Sequence, residues 1–360
     1  MAFKRLNKRN LISNLVSITA LVVFSILIKG SATLPGIFSL IFIYSIAALA
    51  LNIVCGCLGE FVLGHGGFIL IGYTVAVLIA SLVKKFVDPS FLREYIFTVR
   101  GAQLHFLGYL IIIGIVIVAG IITGIIGFIV GTIALGRLKG DYLAIVTLGM
   151  SLIFVNVCKN FDGLGGASGI GAASYLRGTP VLYAIFLVVA VFLIISFMRS
   201  RFGRAILACR DDNIAAEASG VPVNKYKVLA FTFASVIAGI AGGLLAHYQT
   251  FSPIKFGQDL SILFLVIIVL GGLGSLTGSI LATGLIVFYQ QWFCLQSWVP
   301  EFFASNPKII YGVVLVLIML FRSSGILGTS EFTWDWFYKI IGKIKNKIKS
   351  KKEPSKEVAE

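Results

Sequence analysis

Residues 107–131 read LGYLIIIGIVIVAGIITGIIGFIVG, twenty-five positions without a charged side chain. A helix needs about 20 mainly apolar residues to cross the hydrocarbon core of a bilayer, and this run exceeds that. Runs of the same kind recur near 11–28, 37–57, 61–83, 142–158, 181–198, 228–247, 261–272, 276–295 and 308–321. The expectation is therefore an all-α, polytopic membrane protein with about ten transmembrane helices, some of them short or broken. Composition agrees, since 58% of the chain is apolar and 12% charged, against about 45–50% and 25% in soluble domains.

The chain carries 30 Lys and Arg against 15 Asp and Glu. That excess does not point to nucleic acid, because the bases sit in short stretches between apolar runs and in the tail. There they read as topology signals and as contacts to anionic membrane lipids. With ten spans, twenty-one bases fall on the side of both termini and nine on the other, so both termini are expected in the cytoplasm. Residues 1–10 then form a basic cytoplasmic N-terminus, 11–321 the membrane domain, and 322–360 an aromatic interfacial segment (Trp334, Trp336, Phe337, Tyr338) leading into a Lys-rich cytoplasmic tail. The run 11–28 follows Lys4, Arg5, Lys8 and Arg9 but is trailed only by a weak Ser31-Ala32-Thr33, so it reads as a retained helix rather than a cleaved signal.

No phosphate-binding loop, dinucleotide fingerprint or zinc-protease motif occurs. Cys55, Cys57, Cys158, Cys209 and Cys294 lack zinc-like spacing and read as reduced packing residues. No metal, cofactor or catalytic centre is expected.

Two polar features remain. The first is the mixed-charge loop 199–227, where Asp211, Asp212 or Asn213 can cap a short helix carrying Ile214, Ala215, Ala216 and Ala218, which Gly220 and Pro222 end. Small residues let another surface approach closely, so a cytoplasmic docking element is one reading and a solvated loop the other. Its candidate contacts are Gly203, Arg204, Arg210, Asp211, Asp212, Ala215, Ala216, Glu217 and Gly220. The second feature is a pair of glycine-rich breaks in apolar sequence. One holds Glu60, Gly64, His65, Gly66 and Gly67 just after Asn52; the other holds Gly271, Gly272, Gly274 and Ser275. Ionisable and hydrogen-bonding groups at membrane depth usually face a cavity or a partner, which makes these residues candidates for a translocation path or for helix breaks. His65 also reads as a hydrogen-bonded structural residue. The second break fits a tight helical hairpin or one interrupted helix.

Five segments in this order resemble the permease subunits of branched-chain amino acid ABC importers. They are Leu51-Asn52-Ile53-Val54 through Gly67-Phe68; Arg137-Leu138-Lys139-Gly140-Asp141-Tyr142 through Gly149; Gly165-Gly166 to Gly169-Ile170; Gly203–Gly220 with Tyr226-Lys227; and Gly271-Gly272-Leu273-Gly274-Ser275. The likeness covers about 40–325 and is closer to the second member of the permease pair. The resemblance implies a non-catalytic subunit of the bacterial inner membrane. It also implies a second permease, two ATPase subunits docked on the Gly203–Gly220 segment, and a periplasmic or lipid-anchored substrate-binding protein. A permease for urea, amides or another small solute, and an ion-coupled secondary transporter, are the competing readings.

Overall fold

In a bilayer no water satisfies backbone N–H and C=O groups, so a long apolar run has to become helix. The computed structural model describes residues 34–86, 106–136, 138, 140–161, 166–169, 171 and 178–296, with Gly312, Val313, Val316, Leu317, Leu320, Phe321 and Gly325 beyond them. The described residues contain helices and no strand. The expected run 11–28, the N-terminus and nearly all of 322–360 lie outside the described residues.

The membrane helices are α1 (Leu34–Asn52), α2 (His65–Phe86), α3 (Phe106–Ala134), α4 (Asp141–Lys159) and α5 (Pro180–Arg199). Two short helices follow, α6 (Arg201–Asp211) and α7 (Asn213–Ala218), and then α8 (Val223–Tyr248), α9 (Gln258–Gly271) and α10 (Leu276–Gln291). A π-helical turn, Ile53–Leu58, extends α1. Seven helical segments among the described residues are long and apolar enough to cross a membrane, and the chain is a multi-pass membrane protein. The sixteen-residue α10 falls in the run 276–295 and is shorter than the seven.

The chain reverses between α9 and α10, and Gly271 abuts the backbone of Gly278 across the turn. This settles the open alternative as a hairpin, with Gly272 (φ 111°) and Gly274 (φ 84°) supplying the backbone that other residues rarely adopt. The break after α1 is different. Residues 59–64 are non-helical, so α2 starts four residues later than the apolar run suggests, and α8 packs against both α1 and α2.

Packing is organised by small residues. On α3, Gly131 faces Phe231, Gly127 faces Ser235 and Gly120 faces Ile240, which makes α3 and α8 antiparallel neighbours. Gly72 of α2 meets Gly239, and Gly242 meets the Ile69 carbonyl, backbone to backbone. Such contacts drive helix association where lipid is as apolar as the side chains. Outward stripes such as Ile117, Ile121, Ile125 and Ile133 on α3, or Ile185, Val189 and Phe192 on α5, are exposed and suit lipid as solvent. Helix α1 is central, with 89% of its span buried against 33% for α4.

The helix ends sort onto two faces. On one, Tyr248 Oη donates to the Gly36 carbonyl (2.9 Å) and the Phe251 amide donates to Tyr73 Oη (2.9 Å). On the other lie the end of α1, helices α6 and α7, the α9–α10 turn and Gly325, which packs on Gly272. Gly242→Leu drives a side chain into the Ile69 carbonyl and is expected to cost about 3 kcal/mol or more, seen as loss of the monodisperse peak on gel filtration in detergent. Gly114→Leu, which meets open space, leaves that peak unchanged.

Candidate functional site: the coupling segment and the helix breaks beneath it

Ser200 begins the exposed segment, its hydroxyl accepting from the amides of Phe202 (3.2 Å) and Gly203 (3.4 Å) to cap α6. Gly203 lies against the Met198 backbone, where a side chain would block the sharp turn out of α5. Arg204 donates to the Arg199 carbonyl (3.0 Å) at the end of α5, where a cation suits the helix dipole. Of the three candidate caps for α7, Asp212 is the one used, its Oδ1 accepting from Ile214 N (2.8 Å) and Ala215 N (3.1 Å). The helix closes with Val221 N donating to Ala216 O (3.0 Å) and Gly220 N to Glu217 O (2.9 Å), Gly220 standing at φ 83°.

One candidate contact of this segment does not face outward: Ala216 is buried against Cys209 and Val223 and seats α7. Burial raises the pKa of the Cys209 thiol while nearby Lys227 lowers it, and the sulfur packs as a small apolar group. The exposed surface is made instead by Ile214, 81% exposed, with Phe202, Asp211, Asp212, Ala215 and Glu217 around it. Arg210 is exposed as a whole, yet its guanidinium reaches back to donate to the Gly56 carbonyl (2.5 Å) at the end of α1, lying beside Gly59 and Gly274.

The two glycine-rich breaks meet at that point. Asn52 is buried, and three of the four hydrogen-bonding positions of its amide are used: Oδ1 accepts from Gly274 N (2.8 Å), while Nδ2 donates to Ser275 O (3.0 Å) and Ser279 Oγ (2.9 Å). It is a lock between α1 and the hairpin turn. Ser275 caps α10 through Gly278 N (3.1 Å). Glu60, a candidate for the path or for a helix break, lies in the non-helical stretch after α1 and pairs with Lys227 of α8 (2.5 Å), and both are largely buried.

The other break seats the start of α2 among α4, α9 and α1. Gly64 lies against the Thr147 backbone, Gly67 against Ser151 and Gly66 against the Phe256 carbonyl. Neighbouring hydroxyls satisfy the first amides, Leu63 N donating to Thr147 Oγ1 (3.3 Å) and Gly66 N to Ser261 Oγ (2.9 Å). His65 Nε2 lies 2.8 Å from the Ala47 carbonyl, so that nitrogen carries the proton and donates; the ring meets Phe264 edge-on at 5.9 Å. This is the structural reading of His65. Sequence reasoning placed Ile214 on the short helix and Lys227 at the end of the loop 199–227 without giving either a role, and gave none to Ser279, Ser261 and Thr147; the signal for Lys227 was that a buried Glu60 demands a base.

The described residues therefore form a multi-pass membrane protein whose helices are interrupted by glycine-rich breaks and strapped to an exposed segment. The profile of the family "Branched-chain amino acid transport system / permease component" matches residues 33–320. The chain is 32% identical to the high-affinity branched-chain amino acid transport system permease protein LivM of Salmonella typhimurium, over 79% of this chain and 68% of that protein. It is 31% identical to LivM of Escherichia coli over 80% and 68%, and 24% identical to a probable LivM of Methanocaldococcus jannaschii over 79% and 90%. No solved structure matches the chain. The chain belongs to the branched-chain amino acid transport permease family, whose members are transport components and not enzymes.

Lys227→Met leaves the Glu60 carboxylate buried without its cation, at an expected cost of about 3–5 kcal/mol. Adding Glu60→Gln removes the stranded charge and recovers most of that loss, as thermal unfolding of the single and double variants in detergent will measure.

Proposed function

We propose that the chain is the permease subunit of an ATP-binding-cassette importer for branched-chain amino acids in the bacterial inner membrane. It pairs with a second permease, and two ATPase subunits dock on α6 and α7 from the cytoplasm. A periplasmic or lipid-anchored binding protein delivers the substrate to the opposite face. ATP is hydrolysed by the partners, and both termini lie in the cytoplasm, as the charge count favours. Gly325, packed on Gly272 at the α6–α7 face, agrees with that placement of the C-terminal tail.

The observation that carries the mechanism is the reach of Arg210 from α6 to the Gly56 carbonyl. A docking helix tied only to its own spans would move them alone. Arg210 extends that grip to α1 and the α9–α10 turn, and Lys227–Glu60 ties the root of α8 to the segment that leads into α2. ATPase closure then tilts α5 and α8, pulls the two breaks as one body and alternates access to the path.

In this reading Ile214 is the anchor in the ATPase groove, with Ala215, Glu217, Asp211 and Asp212 around it, while Gly203, Arg204, Ala216 and Gly220 shape the segment. The breaks at Gly64, Gly66 and Gly67 and at Gly271, Gly272 and Gly274 are hinges beside the path. An ion-coupled transporter would present an unpaired acid at depth, whereas Glu60 is neutralised by Lys227.

Ile214→Asp puts a charge where an apolar anchor is needed and is expected to weaken ATPase capture at least about tenfold, measured by co-purification in mild detergent. Arg210→Met should retain the ATPases and their hydrolysis while transport in proteoliposomes falls. Full transport by Arg210→Met would sink the coupling role.

A further inference from the structure

On the face opposite α6 and α7 the helices leave a cavity of about 310 Å³ between α1, the end of α8, the start of α9 and the end of α10. Tyr44, Phe256, Leu260 and Leu263 form its apolar wall, and Lys255 and Asp259 stand at its rim. The volume lies at the small end of ligand sites, about 300–1,000 Å³, so one small molecule fills it. Both rim residues are exposed, and the Lys255 ammonium is held over the Phe251 ring, 5.8 Å from its centre.

Among the described residues the lining combines a cation, an anion and an aliphatic–aromatic wall, with Gln290 as a neutral amide. A zwitterion with an apolar side chain matches each part. We infer that the cavity is a low-affinity receiving station for an apolar amino acid, with Lys255 facing the α-carboxylate, Asp259 the α-ammonium, and Tyr44, Phe256, Leu260 and Leu263 the side chain. This rests on the importer reading above and adds to it a site within the permease.

Position supports the assignment. The Phe256 ring closes one wall while its carbonyl abuts Gly66, and Tyr44 stacks edge-on to Phe264 (5.3 Å), the ring that meets His65. One layer of side chains therefore separates the cavity from the start of α2. A solute released there rests directly above the break.

The test uses the complete importer in proteoliposomes with a cysteine reporter in the cavity, Gln290→Cys, and Leu260→Cys as a second reporter should the first fail to assemble. Labelling by a membrane-impermeant maleimide is followed with leucine, with leucinamide, which lacks the carboxylate, and with 4-methylpentanoate, which lacks the ammonium. At about ten times a millimolar Kd, leucine should slow labelling about tenfold, while the two analogues protect weakly. Lys255→Gln should erase the preference for leucine over leucinamide, and Asp259→Asn the preference over 4-methylpentanoate. If the importer moves leucine but leucine leaves labelling unchanged, or all three ligands protect equally, the station is overturned and the importer reading stands. If the importer moves no leucine, the importer reading falls and this inference with it.

Discussion

A backbone that leaves the helix inside a membrane must find partners for its exposed amides and carbonyls without help from water. The architecture turns on how this chain meets that demand at the α9–α10 turn. Asn52 binds the turn with three hydrogen bonds, and α1, which carries it, is the most enclosed of the spans among the described residues. Because α1 lies between the hairpin on one side and α5 and α8 on the other, the lock joins elements far apart in sequence. The start of α2 follows the same rule with borrowed hydroxyls from Thr147 and Ser261.

The spans were legible in sequence because lipid imposes a single rule on length and hydropathy. Eight of the ten expected runs are helical among the described residues, seven of them long and apolar enough to cross a membrane; 308–321 is described only in part, and 11–28 lies outside them. The locks were not legible. Asn52 and Gly274 are 222 positions apart, and nothing in either segment specifies the other. The face of α7 was misread for a local reason: a six-residue helix has less than two turns, so Ile214, Ala215 and Ala216 show no periodicity to separate inside from outside. What buries Ala216 is the fold-back of Val223, which depends on the Gly220 turn rather than on helix phase. Asp212 was among the expected caps because capping chemistry is local.

Charge in this molecule follows depth. Lys227 and Glu60 are largely buried, and they are found together; separating charges from water is tolerable only when each supplies the other's field. Arg210 solves the same problem differently, spending its guanidinium on a carbonyl at the end of α1, where the partial negative charge of a helix terminus awaits it. Lys255 and Asp259, by contrast, stay exposed at the opposite rim. A charge that stays exposed costs less desolvation than one taken to depth.

Helix α9 connects the two ends of this arrangement. Asp259 lies in its first turn and Gly271 is its last residue, a distance of about 20 Å along the axis. Its lower end is held by the Asn52 lock and by Gly325 against Gly272; its upper end forms the cavity rim. In the proposed mechanism a tilt of about 10° at the glycine turn carries Asp259 about 3 Å, a displacement that separates it from a ligand held by Lys255 in the neighbouring turn. Because Leu260 and Leu263 also ride on α9, the same tilt moves part of the cavity wall, and in the proposed mechanism the coupling face governs rim and wall together. The backbone at Gly272 and Gly274, at φ 111° and 84°, lets the chain reverse there while its amides stay satisfied.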